Sequence, residues 1–250
     1  MDPKVAIVIP SYNSIEFLCE TVSSAKNQVY KNFDIYIYDN ESTDGSYELA
    51  KSLEENDRKI NVFQVKNIYE RSYREAFDHS FKNLNFDYIT FLAADDYLSP
   101  NYISSYIEIF SKKPDKIKCM QSPICGVQNG IKTGYISHTY SSLSQFKEQC
   151  LAKSPVTTPS VMYHKSVYQH LLPKSHIHNG VQYGGAEDYD MFCNLADNGI
   201  FIYSVPKFMG YYYRWHENQN TWKVHEKKKI FDYDAMIKKY WKEKWQQENK

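Results

Sequence analysis

An uninterrupted apolar run near the start of the chain places the first constraint on the fold. Residues 5–9 read Val-Ala-Ile-Val-Ile and are followed directly by Pro10. A strand with one face in water alternates apolar and polar residues, whereas this run has no polar position. Its β-branched residues favour a strand over a helix in so short a segment. The run therefore predicts a central strand of a parallel sheet that is covered on both faces.

Strand and helix patterns then alternate over the first hundred residues. The predicted strands and intervening helices are, in order, 5–9, 17–25, 34–38, 47–53, 60–65, 74–84 and 88–92. This order predicts the α/β class, with a doubly wound, mostly parallel central sheet and helices on both faces. Ligands of such sheets bind beyond the carboxyl ends of the strands. Three polar clusters fall there: Ser11-Tyr12-Asn13, Asp39-Asn40 and Asp95-Asp96.

The second half of the chain is less regular. Its predicted strands and helices are, in order, 101–110, 118–128, 134–139, 142–152, 161–163, 187–198, 200–205 and 210–215. We divide the chain into one domain at 1–222 and a C-terminal helical tail at 223–250. The tail has apolar residues at the spacing of an amphipathic helix.

The composition excludes several classes of protein. Thirty Lys and Arg balance thirty Asp and Glu, and 42% of the residues are hydrophobic. Neutrality argues against a nucleic-acid binder, and the apolar content argues against disorder. Five cysteines without a C-x-x-C pair argue against a disulfide framework and for a reducing compartment. No apolar run reaches the ~20 residues of a membrane helix, so we expect a cytoplasmic protein.

The tail differs in charge from the rest of the chain. Residues 223–250 carry nine lysines and five acidic residues, a net charge of +4 that offsets −4 over residues 1–222. A basic amphipathic helix with tryptophans can lie peripherally on an anionic membrane, here the inner membrane face. The alternative is a helix packed on the core or on a second subunit, as in a homodimer.

Five short motifs follow one another along the chain. They read V-A-I-V-I-P-S-Y-N (5–13), Y-D-N-E-S-T-D-G (38–45), F-L-A-A-D-D-Y-L-S-P (91–100), G-A-E-D-Y-D-M-F-C-N-L-A-D-N-G (185–199) and Y-Y-R-W-H-E-N-Q-N-T (212–221). Their order and spacing resemble those of the family 2 glycosyltransferases, which have the GT-A fold. The resemblance implies a nucleotide-binding half at 1–100 and an acceptor half at 101–222.

The first two motifs are implied to bind the nucleoside of a UDP-sugar. By resemblance, Asp39 accepts a hydrogen bond from the uracil edge, and a carboxylate suits the N3–H of that base. The loop implied to hold the base and ribose consists of Pro10, Ser11, Tyr12 and Asn13. An aspartate at this position could instead only form a turn.

The third and fifth motifs are implied to hold a metal ion, Mn²⁺ or Mg²⁺, at the diphosphate. Asp95 and Asp96 supply carboxylates, which hard divalent cations prefer. His216 is implied to bind the metal or the diphosphate, and an imidazole would favour manganese. The sequence departs from the family at Ala93, where the first acid of the motif is missing. Helix capping is the alternative role for the two aspartates, and a structural role is the alternative for His216.

Four further residues are implied to contact the substrates. Arg71 lies where the family places a basic residue near the nucleotide, and Ala94 adjoins the acidic pair. Arg214 could pair with phosphate or with nearby acids, and Arg71 could be a solvated charge. Glu187 belongs to the E-D pair of the fourth motif.

The fourth motif is implied to contain the catalytic base. By resemblance, Asp188 takes the proton of the acceptor hydroxyl as the oxygen attacks the anomeric carbon. The chemistry implied is an inverting single displacement onto a hydroxyl of a glycan or lipid-linked acceptor. Acids in a first helical turn can instead stabilise only the helix dipole, and Asp190 is a rival for the same role.

Two other functions stay open on the sequence. The loss of an acid at Ala93 would suit a catalytically silent module that binds a nucleotide-sugar. A nucleotidyltransferase shares the α/β core, but it would normally carry a Gly-rich basic loop after the first strand.

Tyrosine is unusually frequent, with 23 copies against 13 phenylalanines. Aromatic and histidine side chains between 140 and 183 could line an acceptor pocket, with Phe146, Tyr163, His176, His178 and Tyr183 as candidates. The alternative for each is ordinary packing of a half-buried ring.

Overall fold

The structure is a computed structural model, and it describes residues 2–66, 74–171, 186–219, 222 and 232–247. Arg71, His176, His178 and Tyr183 lie outside these ranges. The predictions made for those four residues are therefore not addressed by the structure.

From β1 to β4, strands and helices alternate as the sequence predicts. The strands are β1 (Val5–Ser11), β2 (Phe33–Asp39), β3 (Ile60–Gln64), β4 (Tyr88–Phe91), β5 (Tyr97–Leu98), β6 (Cys119–Gln121), β7 (Ile124–Gln128), β8 (Ile131–Ile136), β9 (Met162–His164), β10 (Tyr203–Ser204) and β11 (Tyr211–Trp215). The helices are α1 (Ile15–Lys26), α2 (Ser46–Asn56), α3 (Arg74–Asn83), α4 (Tyr102–Lys112), α5 (Leu143–Ala152), α6 (Glu187–Asp197) and α7 (Tyr233–Gln247). Two 3₁₀ turns lie at Thr158–Ser160 and Lys165–His170.

The central sheet has seven strands in the order β10-β6-β9-β4-β1-β2-β3. Every pair is parallel except those of β9, which runs antiparallel to β4 and β6. Residues Val5 to Ile9 of β1 are at most 1% exposed. The prediction of a central strand covered on both faces is therefore confirmed, and so is the doubly wound fold class.

The first strand extends beyond its predicted end, through Pro10 to Ser11. Pairing of β1 with β4 stops at Val8, whose carbonyl still accepts the amide of Leu92. The nitrogen of Pro10 points to the same side as that carbonyl, where β4 no longer runs alongside. The missing N–H therefore breaks no bond of the sheet, and β1 stays paired with β2 up to Ser11 and Asp39.

A second, four-stranded sheet has the order β5-β11-β7-β8. The predicted strand at 118–128 is split into β6 and β7, which belong to different sheets, because Pro123 interrupts the run. In the second sheet, β11 pairs with β5 and β7. This pairing brings the end of β11, followed by His216, back to the loop that follows β4.

The C-terminal helix packs on the domain through its tryptophans. Trp241 is 0% exposed, and its indole Nε1 donates to Asp190 Oδ1 of α6 at 2.6 Å. The Nε1 of Trp245 donates to Asp197 Oδ1 of the same helix at 3.0 Å. Of the two alternatives for the tail, the structure of residues 232–247 shows packing on the core. Over the described part of the chain, no helix combines the length and the apolar character needed to cross a membrane.

Two of the proposed acceptor-pocket aromatics are packing residues. Phe146 is 0% exposed and Tyr163 is 3% exposed. Both belong to the hydrophobic cluster under α5 and α6, so neither ring is available to stack on a sugar.

Candidate active site

Two buried side-chain oxygens that lack a partner among the described residues lie where β1 and β2 end. Ser11 and Asp39 are register partners, and they are 1% and 0% exposed. Within the described residues, neither Ser11 Oγ nor Asp39 Oδ1 has a hydrogen-bond partner. An unsatisfied buried oxygen costs free energy unless a ligand or water supplies a donor. The pair therefore indicates a site for a polar ligand at the carboxyl edge of the sheet.

The loops after β1 and β2 are tied together around this pair. The second oxygen of Asp39 accepts the amide of Ser42 at 3.0 Å, so Asp39 does form the turn that was its alternative role. Asn13, with a φ of +49°, accepts the amide of Thr43 at 2.8 Å and donates its own amide to Ser42 Oγ at 3.0 Å. Tyr12, in the loop after β1, is half-buried. The two loops thus form one rigid edge.

Asp95 and His216 come together although 121 residues separate them. The distance between Asp95 Oδ2 and His216 Nε2 is 3.0 Å, and the two side chains are 26% and 19% exposed. The other ring nitrogen of His216 is buried and has no partner among the described residues. Phe17 of α1 packs against the imidazole, with ring centroids 4.7 Å apart. These contacts hold the imidazole against the loop that follows β4, residues 93–96, which we call the acidic loop.

The Asp95–His216 pair fits part of a metal site. Among the residues that the structure describes, no cluster of three or more His, Cys, Asp or Glu could hold an ion. One carboxylate and one imidazole still supply two ligands, and a nucleotide diphosphate brings oxygens of its own. The two protein ligands therefore suit a divalent cation whose remaining ligands come from a bound ligand.

Asp96 is directed away from this pair and into the protein. Its side chain is 0% exposed and accepts hydrogen bonds from Tyr211 OH and from the amide of Arg214, both at 2.8 Å. Burial, and then the charge of Asp95, raise the pKa of the Asp96 carboxyl well above its usual range. The predicted metal role is therefore not supported by this geometry, because both oxygens already fasten β11 to the acidic loop.

We expect Asp96→Ala to lower the free energy of unfolding by about 3 kcal/mol, since it leaves a buried amide and a buried hydroxyl without an acceptor. Urea unfolding followed by circular dichroism measures this. Asp95→Ala is the matched control, with an expected loss below about 0.5 kcal/mol at a partly exposed site. Equal losses in the two variants would contradict the distinction between these neighbours.

Backbone contacts around the acidic loop complete its attachment to α1. The hydroxyl of Thr21 donates to the carbonyls of Ala94 and Asp96 at 2.9 and 2.7 Å. Ala94 is 5% exposed, so a contact with the donor at this position would have to come from its backbone. The Ala93 amide donates to Tyr211 OH at 3.2 Å.

Arg214 is held between two rings and an acid. Its guanidinium lies 4.7 Å from the ring centroid of Phe17 and 5.2 Å from that of Tyr97. The Nη1 atom is 2.9 Å from Glu20 Oε2. Pairing with a nearby acid, one of its two predicted partners, is therefore observed. Two guanidinium nitrogens, Nε and Nη2, are buried without a partner in the described residues.

The E-D pair opens α6 as predicted. Ala186 precedes the helix in the left-handed conformation, with a φ of +53°, and Glu187, Asp188 and Asp190 lie in the first turn. Asp188 is half-buried and Asp190 is buried. Asp188 and Asp190 were the two candidates for the base. Asp190 is hydrogen-bonded to the indole of Trp241 in the core, so Asp188 is the more accessible carboxylate of the two.

The side-chain partner of Asp188 was missed by sequence reasoning. Thr158 Oγ1 donates to Asp188 Oδ2 at 2.7 Å, across 30 residues of chain. The amide of Tyr189 donates to Asp188 Oδ1 at 2.9 Å. Glu20 and Tyr211, which hold Arg214 and Asp96, were missed in the same way. No periodic pattern or motif marks these three residues.

Comparisons with known proteins place the chain in a family. The family model described as "Glycosyl transferase family 2" matches residues 6–172. The chain belongs to glycosyltransferase family 2, and the predicted resemblance is confirmed. Its structure is similar to GT-A transferases, among them residues 1–349 of TarS of S. aureus in complex with UDP-GlcNAc, with a TM-score of 0.67 and 16% identity over 86% of this chain and 60% of that TarS chain.

Curated relatives bear glycosyltransferase names. An uncharacterized glycosyltransferase of Rickettsia felis is 30% identical over 72% of this chain, and this chain spans only 29% of that relative's length. WfaP of Escherichia coli, a UDP-Glc:alpha-D-GlcNAc-diphosphoundecaprenol beta-1,3-glucosyltransferase, is 26% identical over 85% of this chain and 77% of its own. A Pyrobaculum calidifontis mannosyltransferase in complex with GDP-Man and Mn²⁺ has a TM-score of 0.59 and 13% identity, over 90% of this chain and 61% of its own.

Proposed function

We propose that this chain transfers a sugar from a UDP-sugar to a hydroxyl of a glycan or lipid-linked acceptor, with inversion at the anomeric carbon. The observation that carries the proposal is a set of three buried atoms that have no hydrogen-bond partner among the described residues: Ser11 Oγ, Asp39 Oδ1 and Nδ1 of the His216 ring that contacts Asp95. They belong to three of the five family motifs. The names of WfaP and TarS support UDP-sugars and lipid-linked acceptors as the classes to test first.

The nucleoside would bind at the ends of β1 and β2. Asp39 Oδ1 offers an acceptor to the N3–H of uracil, while its other oxygen holds the turn. Ser11 Oγ offers a second polar contact, and the half-buried ring of Tyr12 can stack on the base. Pro10 and Asn13 shape the loop, and the backbone of Ala94 closes the site.

The diphosphate would bind at the acidic loop. Asp95 and His216 would hold a divalent cation there, and its imidazole ligand favours Mn²⁺ over Mg²⁺. Such a cation, when bound, neutralises the charge that develops on the leaving diphosphate. Asp96 keeps β11 against the loop, so that His216 reaches Asp95. Arg71 and the guanidinium of Arg214 remain candidates for further phosphate contacts.

Asp188 would act as the base in the acceptor half. Each of its oxygens already accepts one hydrogen bond, which leaves further lone pairs for an acceptor hydroxyl. As the acceptor oxygen bonds to the anomeric carbon, its proton passes to Asp188 and the bond to the diphosphate breaks. The products are the glycoside and the nucleoside diphosphate. Glu187, in the same first turn, is available for hydroxyl groups of the acceptor or donor sugar.

Calorimetry of UDP binding tests the metal and nucleotide assignments. We expect Mn²⁺ to tighten UDP binding at least about tenfold, because the Asp95–His216 pair binds an ion only together with phosphate oxygens. His216→Ala should remove most of this gain, whereas His170→Ala, at a 3₁₀ turn bonded to Gln169, is the control that should keep it. Equal UDP affinity with and without Mn²⁺ would exclude the metal site.

A donor screen tests the activity itself. Thermal shift with UDP-sugars and Mn²⁺ identifies the donor that stabilises the protein, and release of UDP from that donor then measures turnover. The silent binding module predicts a shift without UDP release, and it is the alternative that the missing acid at Ala93 favours.

A further inference from the structure

The 3₁₀ turn at Thr158–Ser160 is fixed by a buried hydrogen-bond network. The amide and hydroxyl of Thr157 donate to Gln121 Oε1 at 2.7 and 2.9 Å. The hydroxyl of Ser160 donates to the carbonyl of Ser122 at 2.7 Å. Thr157 and Ser160 are 4% and 0% exposed. The residues at both ends of the turn are therefore anchored to the last residue of β6, Gln121, and to Ser122, which follows it.

Two buried tyrosines reinforce the same turn from α4. The hydroxyls of Tyr102 and Tyr106 donate to the carbonyl of Ser160 at 3.1 and 2.5 Å, and both rings are 0% exposed. A fully satisfied polar network of this kind rigidifies the segment that it holds. Thr158 thus projects from a fixed support.

This support ends on the carboxylate that we assign as the base. Thr158 Oγ1 lies 2.7 Å from Asp188 Oδ2, while the Tyr189 amide lies 2.9 Å from Asp188 Oδ1. A carboxylate with a single donor can rotate about its terminal bond, since that torsion is broad. A second donor on the other oxygen fixes the plane of the group. Thr158 is the donor that comes from outside α6.

We propose that Thr158 is a positioning residue for the base: its hydroxyl sets the plane of the Asp188 carboxylate, so that a free lone pair faces the acceptor hydroxyl. The inference rests on the proposed function of Asp188. Thr158 transfers no proton in this scheme. It acts by keeping Asp188 in the orientation that proton transfer needs, because a small misplacement of a catalytic group costs rate.

The kinetic consequences of removing the hydroxyl are specific. Thr158→Val keeps the shape of the side chain and removes the donor, so kcat should fall about tenfold, with the donor KM and the UDP affinity unchanged. Thr158→Ser keeps the donor and should restore kcat to within about twofold. Thr133→Val, on the exposed strand β8, is the matched control. Thr158→Ala also removes the hydroxyl and is measured alongside. If Thr158→Val fails to fold, kcat of Thr158→Ala still tests the inference.

A double variant separates positioning from a general structural effect. If Thr158 acts through Asp188, then Thr158→Val added to Asp188→Asn should lower kcat no further than Asp188→Asn alone. The inference would be overturned if the two substitutions lowered kcat independently, so that the loss in the double variant equals the product of the two single losses. Full activity in both Thr158→Val and Thr158→Ala would overturn it as well. Failure of the proposed function looks different: either the wild-type protein releases no UDP, or Asp188→Asn retains the wild-type rate, whatever the Thr158 variants do.

Discussion

Asp188→Asn is expected to lower kcat about 1,000-fold, which lies within the range that general base catalysis contributes. The amide cannot accept the acceptor's proton, but its oxygen can still accept the hydrogen bond from Thr158 or from the Tyr189 amide. Binding of the donor depends on the ends of β1 and β2 and on the acidic loop, so the donor KM should change less than about threefold. Steady-state release of UDP, with donor and acceptor varied separately, measures both quantities.

Asp190→Asn is the matched control for this loss. Both aspartates lie in the first turn of α6, but Asp190 is buried and bonded to the indole of Trp241. Asparagine keeps an acceptor for that indole, so kcat should stay within about threefold of wild type. A variant Asp188→Asn that retains more than about a hundredth of the wild-type rate would contradict the assignment of the base, because such groups typically contribute at least about 100-fold.

The sequence predicts the fold of the first hundred residues well because its signals there are local. An apolar run such as Val5–Ile9 specifies a buried parallel strand without reference to any other segment, and all five of its residues are in the core. Once the strands are parallel, the residues that follow them must share one edge of the sheet. The juxtaposition of Ser11 with Asp39 follows from this geometry, and the structure shows them as register partners.

The distinction between Asp95 and Asp96 could not be predicted in this way. Adjacent residues in a loop can point in opposite directions, and which of them points inward depends on the register of β11. Tyr211 and the Arg214 amide, which bind Asp96, lie 115 and 118 residues further along the chain. Thr158 and Glu20 escape prediction for the same reason, since their contacts depend on the packing of distant elements.

Three of the 23 tyrosines have a defined structural role. Tyr102, Tyr106 and Tyr211 are fully buried, and their hydroxyls bond to the 3₁₀ turn below Asp188 or to Asp96. Burial raises the pKa of Tyr106 to about 12 and that of Tyr102 and Tyr211 well above the usual range, so all three stay protonated donors. A tyrosine joins an apolar core to a polar site in one side chain. These three rings are buried, so their faces are not available to stack on a sugar.

Trp241→Ala is expected to lower the free energy of unfolding by about 4 kcal/mol, the loss typical of a large buried aromatic. The ring is 0% exposed, packs against Trp245 at 5.5 Å between centroids, and donates to Asp190. Trp241→Phe keeps most of the packing and loses the indole donor, so about 1–2 kcal/mol should be lost. Urea unfolding measures the free energy of unfolding of the wild type, Trp241→Ala and Trp241→Phe. Met236→Ala, at an exposed position of the same helix, is the control.

The variant Trp241→Ala also tests the role of the C-terminal helix α7. Asp190, which bonds to Trp241, shares the first turn of α6 with Asp188. Loss of the Trp241 side chain should therefore also disturb Asp188. At a temperature where both variants are folded, we expect kcat to be lower in Trp241→Ala than in Trp241→Phe. A helix that lies on a membrane would need these tryptophans outside the protein. If Trp241→Ala leaves the free energy of unfolding unchanged and instead weakens sedimentation with vesicles that contain an anionic lipid, the packing of α7 on α6 is not the state that functions, and the tail is a membrane contact.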